Sequence, residues 1–245
     1  MRILKSLLLF CLCLLSGMVA RGQLQLESTL ATGQNQTKPE GFLNMTLCPA
    51  YELNQWTFGA GAELAILNPQ NTILDAWKIN AERKIMIREH EYKLYGGFYC
   101  RPFSEYMREL NLVLTIKTEY GHVRGMIGNN SRIWRFSGKA LEQWPEADSA
   151  GTTMKKEWRN FLYDFSYHLK KTGHPWNIGI GFSNNNGFFF NQETMPMLFG
   201  RYENKMSESL QLYAECWFQQ AGAANLQAQY YGFFLKGGLI WKSGK

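Results

Sequence analysis

The sequence predicts an all-β fold: one antiparallel up-and-down barrel that crosses a membrane, with about twelve strands and ten as the alternative. Three observations carry this. A basic-then-apolar leader opens the chain, period-two alternation of apolar and polar residues fills most of the remainder, and the connections sort into a short set and a long set on opposite sides. Composition agrees. Of 245 residues, 45% are hydrophobic, 15% aromatic and 19% charged, which excludes disorder, collagen and coiled coil and favours strands over helices. Beyond the leader no apolar run nears the ~20 residues of a membrane-spanning helix, so a helical membrane protein is excluded.

The leader runs from Met1 to Gly22. It begins with Arg2 and Lys5, continues through apolar Leu7 to Leu15 and ends on Ala20, Arg21 and Gly22, the layout of a secretory signal peptide cut before Gln23. The expected organisation is a signal peptide over 1–22 and a single barrel domain over 23–245. Its apolar stretch is too short for a helical anchor, and Cys11 and Cys13 lie inside that stretch rather than at the cleavage point a lipoprotein requires. Cleavage removes three of the 26 Lys+Arg and none of the 20 Asp+Glu, leaving 23 against 20, a net charge of +3. Such a balance excludes the basic stripe of a nucleic-acid protein. Cys48, Cys100 and Cys216 then remain, with no CxxC pair and no Cys/His metal spacing, so small buried or lipid-facing roles are expected, and a disulfide would leave one thiol over.

In chain order the alternating segments lie near residues 24–33, 41–52, 54–68, 75–89, 91–102, 107–118, 122–137, 157–171, 175–184, 194–203, 207–219 and 227–242. The clearest sets Trp56, Phe58, Ala60, Ala62, Leu64 and Ile66 against Gln55, Thr57, Gly59, Gly61 and Glu63. Residues 75–89 have a helical composition, yet at period two Trp77, Ile79, Ala81, Ile85 and Ile87 share one face while Lys78, Asn80, Glu82, Lys84 and Arg88 share the other, so a strand is predicted; Arg83 and Met86 break the pattern. Leu110, Leu112, Leu114 and Ile116 oppose Asn111, Thr115 and Lys117, and Phe161, Tyr163, Phe165, Tyr167 and Leu169 oppose Asn160, Asp164, Ser166 and His168. The last segment sets Tyr231, Phe233, Leu235, Leu239 and Trp241 against Gly232, Lys236, Gly238 and Lys242. Val113, Leu162, Phe234 and Ile240 are apolar intruders on the polar faces.

An even strand number puts both termini on one side. Connections on that side are expected to be short, around Leu53, Glu89 and His90, Glu119 to Gly121, Lys171 to His174, and Asn204 to Met206. Those on the far side are mostly longer: Gln34 to Glu40, Asn68 to Leu74, Phe103 to Tyr106, Gly138 to Lys156, Asn185 to Glu193 and Gln220 to Leu226. Transmembrane barrels show this asymmetry, with the short set facing the periplasm. The charges then fall inward: Lys78, Glu82, Lys84, Lys117, Asp164, His168 and Glu215 are the expected lumen-facing polar residues. Trp56, Trp77, Trp158, Trp176, Trp217 and Trp241 lie near strand ends or on apolar faces, where interfacial girdles belong.

On these features the chain resembles the bacterial outer-membrane β-barrel proteins. The final strand, Tyr231-Gly-Phe-Phe-Leu-Lys-Gly-Gly-Leu-Ile-Trp241, is similar to the terminal assembly signal of that class, with the departure that Lys242 to Lys245 follow the aromatic. The resemblance implies residence in the outer membrane, contact with its lipid and lipopolysaccharide, and recognition by the barrel assembly machinery.

One constellation has the residue types for catalysis. Asp164, Ser166 and His168 alternate along one strand face, and Ser183 is expected across the hairpin from Asp164, so an acid, a hydroxyl and an imidazole share one face, as lipid-hydrolysing outer-membrane enzymes require. Same-face neighbours on a strand stand ~6.5–7 Å apart, long for a Ser to His contact without a bend, so a hydrogen-bonded lumen network is the favoured reading. His90, His122 and His174 fall at turns and do not form a metal set. Gly128 to Ser131 and Ser183 to Gly187 are expected to be polar turns without the lysine of a phosphate loop. The sequence holds no cofactor motif. The function it favours is a porin-like narrow channel, binding or structural membrane protein without catalysis; the alternatives are a lipid or lipopolysaccharide hydrolase using the Ser/His site, and a soluble exported barrel holding a small apolar ligand.

Overall fold

In the computed structural model, which describes residues 22–35, 38–67, 73–102, 106–136, 138–145, 156–170, 173–185, 196–221 and 229–244, the chain forms one closed barrel in which each strand pairs antiparallel with its chain neighbours. The strands are β1 (Gln23–Asn35), β2 (Lys38–Leu53), β3 (Trp56–Leu67), β4 (Leu74–Ile87), β5 (His90–Pro102), β6 (Met107–Tyr120), β7 (Val123–Phe136), β8 (Lys156–Lys170), β9 (Trp176–Ser183), β10 (Met197–Lys205), β11 (Leu210–Ala221) and β12 (Gln229–Lys242), with one helix, α1 (Gly138–Gln143), after β7. The predicted number of twelve holds, and the ten-strand alternative falls. Residues 1–21 of the leader lie outside the described residues.

β1 closes on β12, from Gln25 opposite Lys242 to Asn35 opposite Gly232. The tail beyond Trp241 continues this seam: Ser243 N donates to Leu24 O at 2.8 Å, and Leu24 N donates to Ser243 Oγ at 3.0 Å. Complete closure leaves no free edge along this seam, which a bilayer demands because its core offers no water to unpaired amides.

The terminus-side turns are tight because their residues accept the required backbone. Asn54, Arg88 and Gly121 all have φ near +55°, the left-handed conformation that two-residue hairpins need and that Asn and Gly tolerate best. Three details differ from expectation. The first far-side connection is reduced to residues 36–37, because β1 and β2 keep pairing up to Asn35 opposite Lys38. The β10–β11 turn follows Lys205 rather than starting at Asn204, since the ladder runs on to Lys205 opposite Gln211. Gly128 to Ser131 is no turn but the middle of β7, where Asn130 is buried and accepts a hydrogen bond from Asn160 Nδ2 at 2.9 Å. Gly and Asn there relieve crowding inside the barrel: a Cβ on Gly128 would lie 2.1 Å from Leu114 O.

The strands read mainly apolar outward and polar inward. Ile180 is 68% exposed and Leu114 57%, while inward neighbours Ser183 and Thr115 are 0% and 4% exposed. The β4 sequence is a strand as predicted, and Arg83 is accommodated on the outside by stacking its guanidinium over Trp56, 5.2 Å from the ring centre. Trp56, Trp176 and Trp241 mark the terminus-side rim on the outer surface, at the ends of β3, β9 and β12. Trp217 departs from the expected girdle: it points inward and stacks between Phe199 (4.5 Å) and Phe234 (5.7 Å), its partners directly opposite on β10 and β12. The side chain of Trp158 lies outside the described residues.

The apolar intruders thus have a role. Phe234 joins Ala31, Phe42, Met197, Phe199 and Trp217 in one inward cluster, and Val113 and Leu162 join Met126 in a second. They fill part of the barrel with close-packed side chains. In the connection after β7, α1 docks Ala140, and Trp144 meets Tyr106 edge-on at 5.1 Å. The acidic part of that connection, including Glu146 and Asp148, lies outside the described residues.

Candidate functional site

Below the two apolar clusters, toward the terminus-side rim, the barrel contains two adjoining cavities of about 510 and 530 Å³ that share Lys93, Lys117, Met126, Asn185 and Lys236 in their walls. The first is lined by Lys78, Lys84, Lys93, Lys117, Lys236 and Lys242 against three carboxylates, Glu27, Glu52 and Glu82. Asp164, Ser166 and Glu215 line the second. Six of the seven expected lumen residues therefore border these cavities. His168 points inward as well but is fully buried behind them.

Burial of His168 follows from β9. A glycine stands directly opposite it, Gly179, and a Cβ there would lie 2.6 Å from His168 Cε1, so the absent side chain makes the space the imidazole fills. The ring leans along the strand and brings Nε2 to 2.8 Å from Ser166 Oγ, a contact the ~6.5–7 Å strand spacing alone does not suggest. Its other nitrogen, Nδ1, lies 3.1 Å from Asn177 Nδ2, while His122 Nδ1 meets the backbone carbonyl of His168 at 2.7 Å. Ser183 plays no part in this contact. Its Oγ accepts from Asn185 N and lies 3.1 and 3.0 Å from the backbone carbonyls of Tyr163 and Asn185, which share its single proton, opposite Asp164 in the ladder.

Serine, histidine and asparagine in a row have the outline of a nucleophile, base and orienting group. The protons run the wrong way. Asn177 Nδ2 also lies 3.0 Å from Glu203 Oε2, and Glu203 is gripped by both terminal nitrogens of Arg124 at 2.7 and 3.0 Å. A carboxylate held by arginine accepts hydrogen bonds only, so the amide nitrogen must face Glu203 and, with it, His168. Nδ1 of His168 is then the acceptor and Nε2 carries the proton, which it donates to Ser166. A general base needs the reverse tautomer, with Nε2 free to take the serine proton. Orienting the amide this way leaves Asn177 Oδ1 buried without a partner among the described residues.

This network is one part of a wider charge belt. Arg124 Nε also reaches Glu119 Oε2 at 2.9 Å, and Lys170 pairs with Glu119. Arg201 Nε donates to Glu215 Oε1 at 2.7 Å, and Glu215 Oε2 takes Trp217 Nε1 at 2.9 Å with Lys236 at 3.5 Å. On the far half, Arg132 and Glu109 form a two-pronged pair, both bonds 2.9 Å. Sequence reasoning missed Asn177, Arg124 and Glu203. A signal existed: the outward run Ile178, Ile180, Phe182 sets Asn177 inward, and counting back from the short turns places it opposite Glu203 and close to His168. The three cysteines are free: Cys48 lines the first cavity, Cys100 is buried beside Trp77, and Cys216 lies on the exposed outer face.

A closed barrel with an apolar exterior and an ion-paired interior is stable only with lipid around it, because water would face the aliphatic belt. The chain has the fold and the lipid-suited outer face of an outer-membrane β-barrel, and the soluble arrangement with an apolar interior is overturned by the observed faces. Neither a protein-family model nor a curated protein matches it. Among solved structures it is similar to the NanC porin, at 10% identity over 89% of this chain and 98% of that one, with a TM-score of 0.49. It is also similar to outer membrane phospholipase A from Escherichia coli, at 10% identity over 90% of both chains, TM-score 0.41. The Acinetobacter baumannii outer membrane protein Omp33 matches at 8% identity over 91% of this chain and 98% of that one, TM-score 0.46.

Proposed function

We propose that this chain is a non-catalytic protein of the bacterial outer membrane, exported by a leader cleaved near Gly22, whose polar lumen binds or passes small solutes through a narrow path. One observation carries the reading: the interior holds two cavities of about 510 and 530 Å³ walled by charges that are paired but partly open, such as Lys117 and Lys93, whose side chains are 42% and 40% exposed. Charges with no functional task would be a costly filling for a barrel that could be packed with apolar residues. The exterior belt contacts lipid and lipopolysaccharide, and β12, whose last outward residue is Trp241, is the segment the assembly machinery would read. The purified barrel, inserted in a planar bilayer, is expected to show small unitary currents, reduced from those of an open porin by the two apolar clusters. A stably inserted barrel that stays silent would leave binding without passage.

The contact between Ser166 and His168 favours a second reading, an acyl hydrolase. Its orientation opposes that reading, so a fluorophosphonate probe is expected to leave Ser166 unlabelled in the folded, detergent-solubilised protein. Labelling lost in Ser166→Ala and in His168→Ala would reinstate the hydrolase.

A further inference from the structure

On the inner face, Lys84 stands directly opposite Lys93 on the next strand, and Lys93 stands directly opposite Lys117 on the one after, so three ammonium groups form a continuous row across β4, β5 and β6. Like charges facing each other across a ladder repel and destabilise a sheet. Here the neutralisation is incomplete. Glu52 pairs with Lys84, but Glu91 comes only to 3.8 Å of Lys93 and Glu82 only to 4.0 Å of Lys117, at the limit of ion-pair range. All three lysines border the first cavity, and Lys93 and Lys117 border the second as well. The row above adds Thr115, whose Oγ1 is buried in the same wall with no hydrogen-bond partner among the described residues.

We propose that this lysine row is a binding site for a small multivalent oxyanion, a solute bearing carboxylate or phosphate groups, held by Lys93 and Lys117 with the Thr115 hydroxyl as a further donor. An anion there removes the repulsion along the row and accepts from ammonium groups in an interior where such bonds are strong. The site rests on the reading of the lumen as a solute-binding space and names the solute class. Cations are disfavoured in the same space, because the first cavity carries six lysines against three glutamates.

Citrate and inorganic phosphate, titrated separately into the folded barrel in detergent at constant ionic strength and followed by calorimetry, test the site and distinguish the two chemistries. At least one is expected to bind, with spermidine showing no heat. The Lys93→Gln/Lys117→Gln double variant should weaken binding by about tenfold or more, as expected for losing two charge-assisted contacts. Glu82→Gln, which removes the carboxylate facing Lys117, should tighten it. A change toward higher affinity is one that damage to the fold would not produce, so Glu82→Gln settles the matter if the double variant fails to fold. Binding of neither anion, binding of spermidine instead, or affinity unchanged in the variants overturns the proposal. Calorimetry needs no current: a silent barrel that binds citrate overturns passage and keeps the site, whereas a conducting barrel that binds neither anion overturns the site and keeps passage.

Discussion

Trp217→Ala should lower the temperature at which the barrel's compact electrophoretic form gives way to the unfolded one, through a loss of about 3–5 kcal/mol. Trp217 is 3% exposed, stacks against both Phe199 and Phe234, and donates its indole N–H to Glu215. Truncation opens a cavity between three strands and strips Glu215 of a hydrogen bond in one step. Trp217→Phe separates the two effects, keeping much of the stack while leaving the carboxylate short of a donor, for which about 1–3 kcal/mol is expected. If alanine cost no more than phenylalanine, the inward aromatic cluster would not be the packed unit described here.

The second large effect is expected at the Arg132–Glu109 pair. Their side chains are 4% and 8% exposed, so neither charge has water to fall back on. Glu109→Gln leaves a buried guanidinium without its carboxylate and should destabilise by about 3–5 kcal/mol, whereas the double replacement Glu109→Leu/Arg132→Met should recover most of that loss, because the pair's desolvation cost vanishes with it. Denaturant unfolding of the vesicle-inserted barrel, run as a double-mutant cycle, measures both. Equal destabilisation by the single and double variants would show that packing volume, not charge compensation, holds this part of the interior.

These two sites show how far the sequence could be followed. The Glu109 and Arg132 positions sit on polar faces of their strands, so inward orientation was readable, but their meeting depends on the register of β6 against β7, in which Arg132 faces Asn111 and reaches Glu109 diagonally. Trp217 was misplaced for a related reason. Tryptophan is apolar and suits a lipid interface, yet its parity along β11 puts it with Tyr213 and Glu215, and parity outranks residue type on a strand. The same register dependence hid Asn177 and Glu203 from the Ser166–His168 pair and with them the proton order that argues against catalysis.

Alternation and turn chemistry by themselves determined that this chain makes twelve antiparallel strands with one apolar and one polar face, because a side-chain period of two is a local property of extended backbone. Which residues across the barrel share a row, which lysines face lysines, and whether the imidazole of His168 could take a proton were decided only when β1 closed on β12 and every register was fixed. Closure is a non-local event: one residue of slip in any pairing would exchange every inward side chain of that strand for an outward one.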